Sequence, residues 1–90
     1  MKIKLTKRFR KNYLKRIKTN TKLREQYIKR TNLFKMNPKD EILKDHQLKG
    51  QMSKYRSFSI TGDVRVIYIQ ESFDTVLFIE IGSHNQIYNN

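Results

Sequence analysis

The chain of 90 residues has no cysteine, one proline and three glycines, and only 8 acidic residues stand against 20 Lys and Arg. Without cysteine there can be no disulfide framework, no thiolate metal site and no sulfur nucleophile. No glycine-rich phosphate loop, HExxH motif, EF-hand loop or pair of spaced carboxylates occurs. These absences argue against nucleotide hydrolysis and against a metal-dependent nuclease, and no cofactor is expected. No stretch approaches the roughly 18 apolar residues that cross a bilayer. The opening MKIKLTKRFRKNY carries positive charge without the apolar segment of a secretion signal, so a cytoplasmic location with no membrane partner is the expectation.

Enough apolar material remains for one core. Leu, Ile, Val and Phe make up 25 of the 90 residues, about 28% and above the roughly 20% below which highly charged chains stay unfolded. A chain of this length buries only about 60–65% of its unfolded surface, so one domain over residues 1–90 is expected. The net charge of +12 is uneven: residues 1–45 hold 16 Lys and Arg against 4 acids, and residues 46–90 hold 4 against 4. Cations at this density release condensed counterions from a polyphosphate, which suits RNA or DNA as a partner.

Hydrophobic spacing orders the chain. Ile3 and Leu5 alternate with lysines as in a short strand, and Thr6 is placed to cap a helix. Phe9, Tyr13 and Ile17, with Leu14, form one face of a basic amphipathic helix over Lys7 to Lys18. Thr19-Asn20-Thr21 supplies a turn and cap, and Leu23, Tyr27, Ile28 and Phe34 continue a second helix that stops before Asn37-Pro38. A polar connection from Asp40 to Gly50 precedes three strand-like runs, Tyr55 to Ile60, Val64 to Gln70 and Thr75 to Ile81. Their short spacers predict antiparallel hairpins. The last two runs are apolar at almost every position, which predicts a sheet covered on both faces, with a short helix from Ser83 to Tyr88 a candidate cover. The fold class is α+β, in the order β-α-α-β-β-β with an antiparallel sheet on a helix hairpin and a short C-terminal helix.

Both histidines, His46 and His84, lie in polar connections, where an imidazole with a pKa near 6.5 can move a proton at neutral pH. Asp63 and Arg65 are two apart at the start of a strand and so share a face, either as a surface ion pair or with Arg65 free to stabilise a pentacoordinate phosphate. RNA permits cleavage without metal, because its own 2′-hydroxyl can attack the adjacent phosphorus given a base, an acid and a cation.

The stretches Asp45-His46-Gln47-Leu48-Lys49-Gly50, Tyr55-Arg56, Gly62-Asp63-Val64-Arg65-Val66-Ile67-Tyr68 and Ile81-Gly82-Ser83-His84-Asn85-Gln86-Ile87-Tyr88, in that element order, resemble the RelE/YafQ family of bacterial type II toxins. The resemblance implies a RelE-like fold and a ribosome-dependent mRNA interferase: an endoribonuclease acting on mRNA in the ribosomal A site and held inactive by a cognate antitoxin. By position it implies that His84 is the principal catalytic histidine and general acid. His46 and Asp63 fall on further active-site positions, as base and as orienting or proton-transfer group. Arg65 is implied as the phosphate-stabilising arginine, Tyr88 as the terminal aromatic near the base, and Lys49, Lys54 and Arg56 as RNA contacts. Three positions depart from the YafQ branch: Ser59 replaces a histidine, Val64 a tryptophan, and Glu80 an arginine. Two other readings share the composition: a ParE-type toxin of the same fold acting on DNA gyrase, and a basic nucleic-acid or ribosome-binding module.

Overall fold

The computed structural model describes residues 1–88. Strand β1 (Lys2–Leu5) leads into helices α1 (Lys7–Arg16) and α2 (Thr21–Met36); strands β2 (His46–Gln47), β3 (Arg56–Ser59), β4 (Arg65–Ser72) and β5 (Thr75–Gly82) follow, and helix α3 (His84–Tyr88) closes the described chain. Single 3-10 turns, Glu41–Leu43 and Gly50–Met52, flank β2. The five strands form one sheet in the order β1-β5-β4-β3-β2.

The helix limits follow local chemistry. The Thr6 hydroxyl accepts from the Phe9 amide and the Asn20 side chain from the Leu23 amide, each satisfying an N-terminal donor that has no helical partner. Helix α2 ends at Met36, one residue before Asn37-Pro38, as the restriction of the residue preceding proline requires.

The sheet departs from the sequence expectation in two ways. It is mixed, because β1 pairs parallel to β5 while β2 to β5 are antiparallel neighbours. It also has a fifth, two-residue strand, β2, inside the polar connection from Asp40 to Gly50, where no strand was expected. Strand β1 covers β5 only from Thr75 to Phe78. Beyond it, α1 satisfies the exposed edge of β5: the Thr6 hydroxyl donates to the Ile79 carbonyl and Arg16 Nη1 to the Ile81 carbonyl.

One face of the sheet packs on the helix hairpin through Phe58, Val66, Tyr68, Val76, Phe78 and Ile81, against Phe9, Ile17 and Phe34. Phe34 stacks on Phe58 with ring centroids 4.3 Å apart, and Phe78 lies 5.4 Å from Phe9. Such ring pairs add roughly 0.5–1.5 kcal/mol each to the burial of their apolar area. The opposite face carries His46, Ser57, Ser59, Arg65 and Ile67, because side chains alternate along a strand and these positions pair across the ladder. Helix α3 and the 3-10 turn at Gly50–Met52 border this second face.

Candidate active site

The second sheet face and helix α3, which borders it, carry four of the eight candidate residues: His46, Arg65, His84 and Tyr88. His46 pairs with Ser57 in the β2–β3 ladder, and Ser59 pairs with Arg65, which pairs in turn with Gly82. Gly82 is two residues before His84, so the histidine that opens α3 is delivered beside the Arg65 end of β4. His84 and Tyr88 are one helical turn apart, with ring centroids 4.7 Å apart. Tyr88 is also in electrostatic range of Arg65. His84, Tyr88 and Arg65 therefore stand together.

Arg65 is held at two points. Its Nε donates to the Ser57 hydroxyl at 2.6 Å and its Nη2 to the Lys44 carbonyl at 3.3 Å. Ser57 is fully buried, so its hydroxyl is a fixed anchor. Partial burial lowers the guanidinium pKa, and the neighbouring Tyr88 and Asp45 oppose that shift. The group stays charged at neutral pH with Nη1 uncommitted among the described residues.

The same Lys44 carbonyl lies 2.8 Å from His46 Nδ1. A carbonyl only accepts, so Nδ1 carries the proton, and in the neutral ring Nε2 presents a lone pair to solvent. Lys44 is the sole non-glycine residue with positive φ (49°) among the described residues. A left-handed conformation at such a residue costs roughly 1–2 kcal/mol, and here it aims one carbonyl at two candidate catalytic side chains.

Asp45, to which the sequence alone assigned no role, offsets that cost. One carboxylate oxygen accepts from Arg56 Nε at 2.8 Å and Nη2 at 2.6 Å, and the other accepts from the Tyr68 hydroxyl. The carboxylate raises the Arg56 pKa; burial first, and the Asp45 bond second, push the Tyr68 phenol above its ordinary value. The only sequence signal for this cluster was a carboxylate next to His46.

Other candidates sit apart. Asp63 lies in the turn before β4, not on the strand; it is exposed, and its amide donates to the Thr61 hydroxyl. The surface ion pair with Arg65 considered from the sequence does not form, since Arg65 is committed to Ser57 and Lys44. Arg56 faces the helix side of the sheet, beside Tyr68, and its guanidinium is engaged by Asp45. Lys49 caps the 3-10 turn at Gly50–Met52 and is exposed; Lys54 Nζ lies 5.3 Å from the Tyr55 ring centroid. Glu80, the departure on β5, is 4% exposed. Its carboxylate accepts from three α1 side chains: Arg8 Nε at 2.8 Å, Asn12 Nδ2 at 2.6 Å and Arg16 Nη1 at 3.4 Å. The cations of α1 line a solvent-open groove with Lys7, Arg8, Lys11 and Arg16. Among the described residues no three His, Asp or Glu side chains cluster as metal ligands, and no helix is long and apolar enough to cross a membrane.

A search of curated proteins by sequence finds no match. Solved structures do match. E. coli YafQ superposes with a TM-score of 0.74 at 21% identity, covering 96% of each chain. A YoeB/ParE toxin from Agrobacterium tumefaciens gives 0.77 at 26% identity, covering 93% of this chain and 99% of that one. A metal-bound toxin from Helicobacter pylori gives 0.75 at 26%, covering 98% and 99%. The family model for the YafQ bacterial toxin of type II toxin–antitoxin systems matches residues 1–89. With that match spanning nearly the whole chain and the same fold in its structural neighbours, the protein belongs to the YafQ family of type II toxins.

Proposed function

We propose that this toxin is a ribosome-dependent mRNA endoribonuclease, cytoplasmic and composed of one domain. The reading is supported by the tie of His46 and Arg65 to one carbonyl, with His84 opening helix α3 two residues after Gly82, the partner of Arg65 in the sheet.

In the proposed step His46 Nε2 takes the proton of an RNA 2′-hydroxyl, and O2′ attacks the adjacent phosphorus. Arg65 Nη1 stabilises the charge that builds on the non-bridging oxygens. The P–O5′ bond breaks as protonated His84 gives its proton to O5′, leaving a 2′,3′-cyclic phosphate and a 5′-hydroxyl. Tyr88 packs beside His84 and offers a ring to the neighbouring base; Asp63, in the exposed turn before β4, is the proposed orienting or proton-transfer group, and Lys49 and Lys54 are the proposed contacts to the RNA backbone. Few groups take part, so placement of the message by the ribosome supplies much of the rate through orientation.

The antitoxin partner rests on the family and on E. coli YafQ, which was solved in complex with DinJ. An acidic segment fits the α1 groove by charge.

The test is His84→Ala expressed in growing cells. The variant should neither arrest growth nor cleave translated mRNA; toxicity equal to the unaltered protein would remove the nuclease reading. The likeness to a YoeB/ParE toxin favours one second reading, gyrase inhibition. Purified protein that blocks DNA supercoiling and leaves mRNA intact would establish it.

A further inference from the structure

A cavity of about 250 Å³ opens on the site face of the sheet, next to the groups just described. Its walls include Met52, Tyr55, Ile67 and Ile87, and Arg8 and Glu80 form a polar end. Ile67 is two residues beyond Arg65 on the same side of β4, and Ile87 is one helical turn beyond His84. The cavity thus adjoins both halves of the proposed cleavage site. Drug-sized ligands occupy pockets of roughly 300–1,000 Å³, so this one suits a single ring system.

Its polar end has a definite hydrogen-bonding character. Glu80 Oε2 accepts from Arg8 Nε at 2.8 Å, while Oε1 accepts from Asn12, Arg16 and the Ile81 amide. Engaged by these donors and 4% exposed, the carboxylate has little left to offer a ligand. It fixes the plane of the Arg8 guanidinium, whose terminal nitrogens have no partner among the described residues; the Arg8 side chain is 65% exposed. The polar end offers donors only. Two base edges present two adjacent acceptors, O6/N7 of guanine and O2/N3 of cytosine; the guanine pair matches the arginine fork in the commonest specific base contact, and its larger bicyclic face covers more of the apolar wall. The Tyr55 ring and the Ile87 side chain supply the apolar surface that a base face requires.

We propose that this cavity is a guanine subsite beside the cleavage position, with Arg8, oriented by Glu80, reading the O6/N7 edge. The subsite deepens the ribonuclease reading and rests on it for its biological role. Helix α1 then contributes a specificity residue in addition to bulk charge, and the groove of Lys7, Lys11 and Arg16 leads the RNA backbone to it.

The experiment titrates His84→Ala protein with guanosine, adenosine, cytidine and uridine 5′-monophosphates and follows the Ile67 and Ile87 methyl and Arg8 Nε resonances. The guanosine nucleotide should bind tightest, by roughly five- to hundredfold, the range expected of a bidentate arginine contact. In the same background Arg8→Lys keeps the charge and loses the planar fork, and should abolish the preference while phosphate binding persists. Equal responses to all four nucleotides, or shifts confined to Lys7 and Lys11, would overturn the subsite. A parallel map of mRNA cleavage by the unaltered protein separates the two readings. Cleavage without guanine preference in the titration sinks the subsite and leaves the nuclease; guanine preference without cleavage does the reverse.

Discussion

Arg65 and His46 share one acceptor, the carbonyl oxygen of Lys44, at 3.3 and 2.8 Å. A guanidinium and an imidazole that are distant in the chain are thereby set in one frame. The frame is a left-handed residue flanked by Asp45, whose carboxylate ties it to β3 and β4 through Arg56 and Tyr68. Strain of this kind persists where surrounding contacts over-determine the backbone, and it concentrates at functional sites.

Removing that tie should be costly. Asp45→Ala leaves the Arg56 guanidinium unpaired and the Tyr68 hydroxyl without its acceptor, at a side chain only 9% exposed. The expected loss is about 2–4 kcal/mol, read as a lowered thermal midpoint. A double-mutant cycle of Asp45→Asn with Tyr68→Phe should show coupling of at least about 0.5 kcal/mol. Strict additivity would mean the two side chains do not act as one anchor.

Glu80 should behave as a clasp between β5 and α1. Its replacement by alanine strands Arg16, whose side chain is 11% exposed, and should cost about 3 kcal/mol. Glu80→Arg, which restores the residue type of the YafQ branch, would place a third guanidinium against Arg8 and Arg16 and should destabilise further. Denaturant unfolding of both variants decides it, and a Glu80→Arg variant as stable as the original would contradict the clasp.

On the ribonuclease reading, Ser57 positions Arg65 without touching substrate. Ser57→Ala should slow mRNA cleavage about tenfold by releasing Nε, whereas Arg65→Ala should slow it by about 10²–10³, the scale of losing one transition-state donor. Single-turnover cleavage on programmed ribosomes measures both. If Ser57→Ala matched Arg65→Ala, the hydroxyl would have a larger part than positioning.

Alkali should loosen the helix hairpin. Burial pushes the Tyr27 phenol up to about 12, against an ordinary value of 10. The folded state thus holds this proton more tightly than the unfolded chain, so the stabilisation is complete below pH 10 and is lost as pH rises toward 12. The size is about 2–3 kcal/mol, since one unit is worth about 1.4. Tyr27→Phe should flatten the fall in unfolding free energy over that window, and an unchanged slope would assign the loss to other groups.

The element order was legible because its determinants are local. Thr6 and Asn20 cap where the spacing placed caps, Asn37-Pro38 stops α2, and strand-like runs parted by short spacers mark β3 to β5. The parallel seating of β1 on β5 was not legible, since a pairing between the two ends of the chain leaves no periodicity in either strand. His84, His46 and Arg65 were nameable from their motifs, but the frame that His46 and Arg65 share was invisible: it passes through a backbone carbonyl and the φ of Lys44, which side-chain identity does not encode. Glu80 read as a missing arginine, and only packing shows it engaged by Arg8, Asn12 and Arg16.

Taken alone, the sequence determined the helices, the hairpins and the basic half, because capping, alternation and charge act between near neighbours. Which residues meet across the sheet was decided by tertiary structure. Those contacts depend on register and on buried polar groups that find partners only when distant segments close around them.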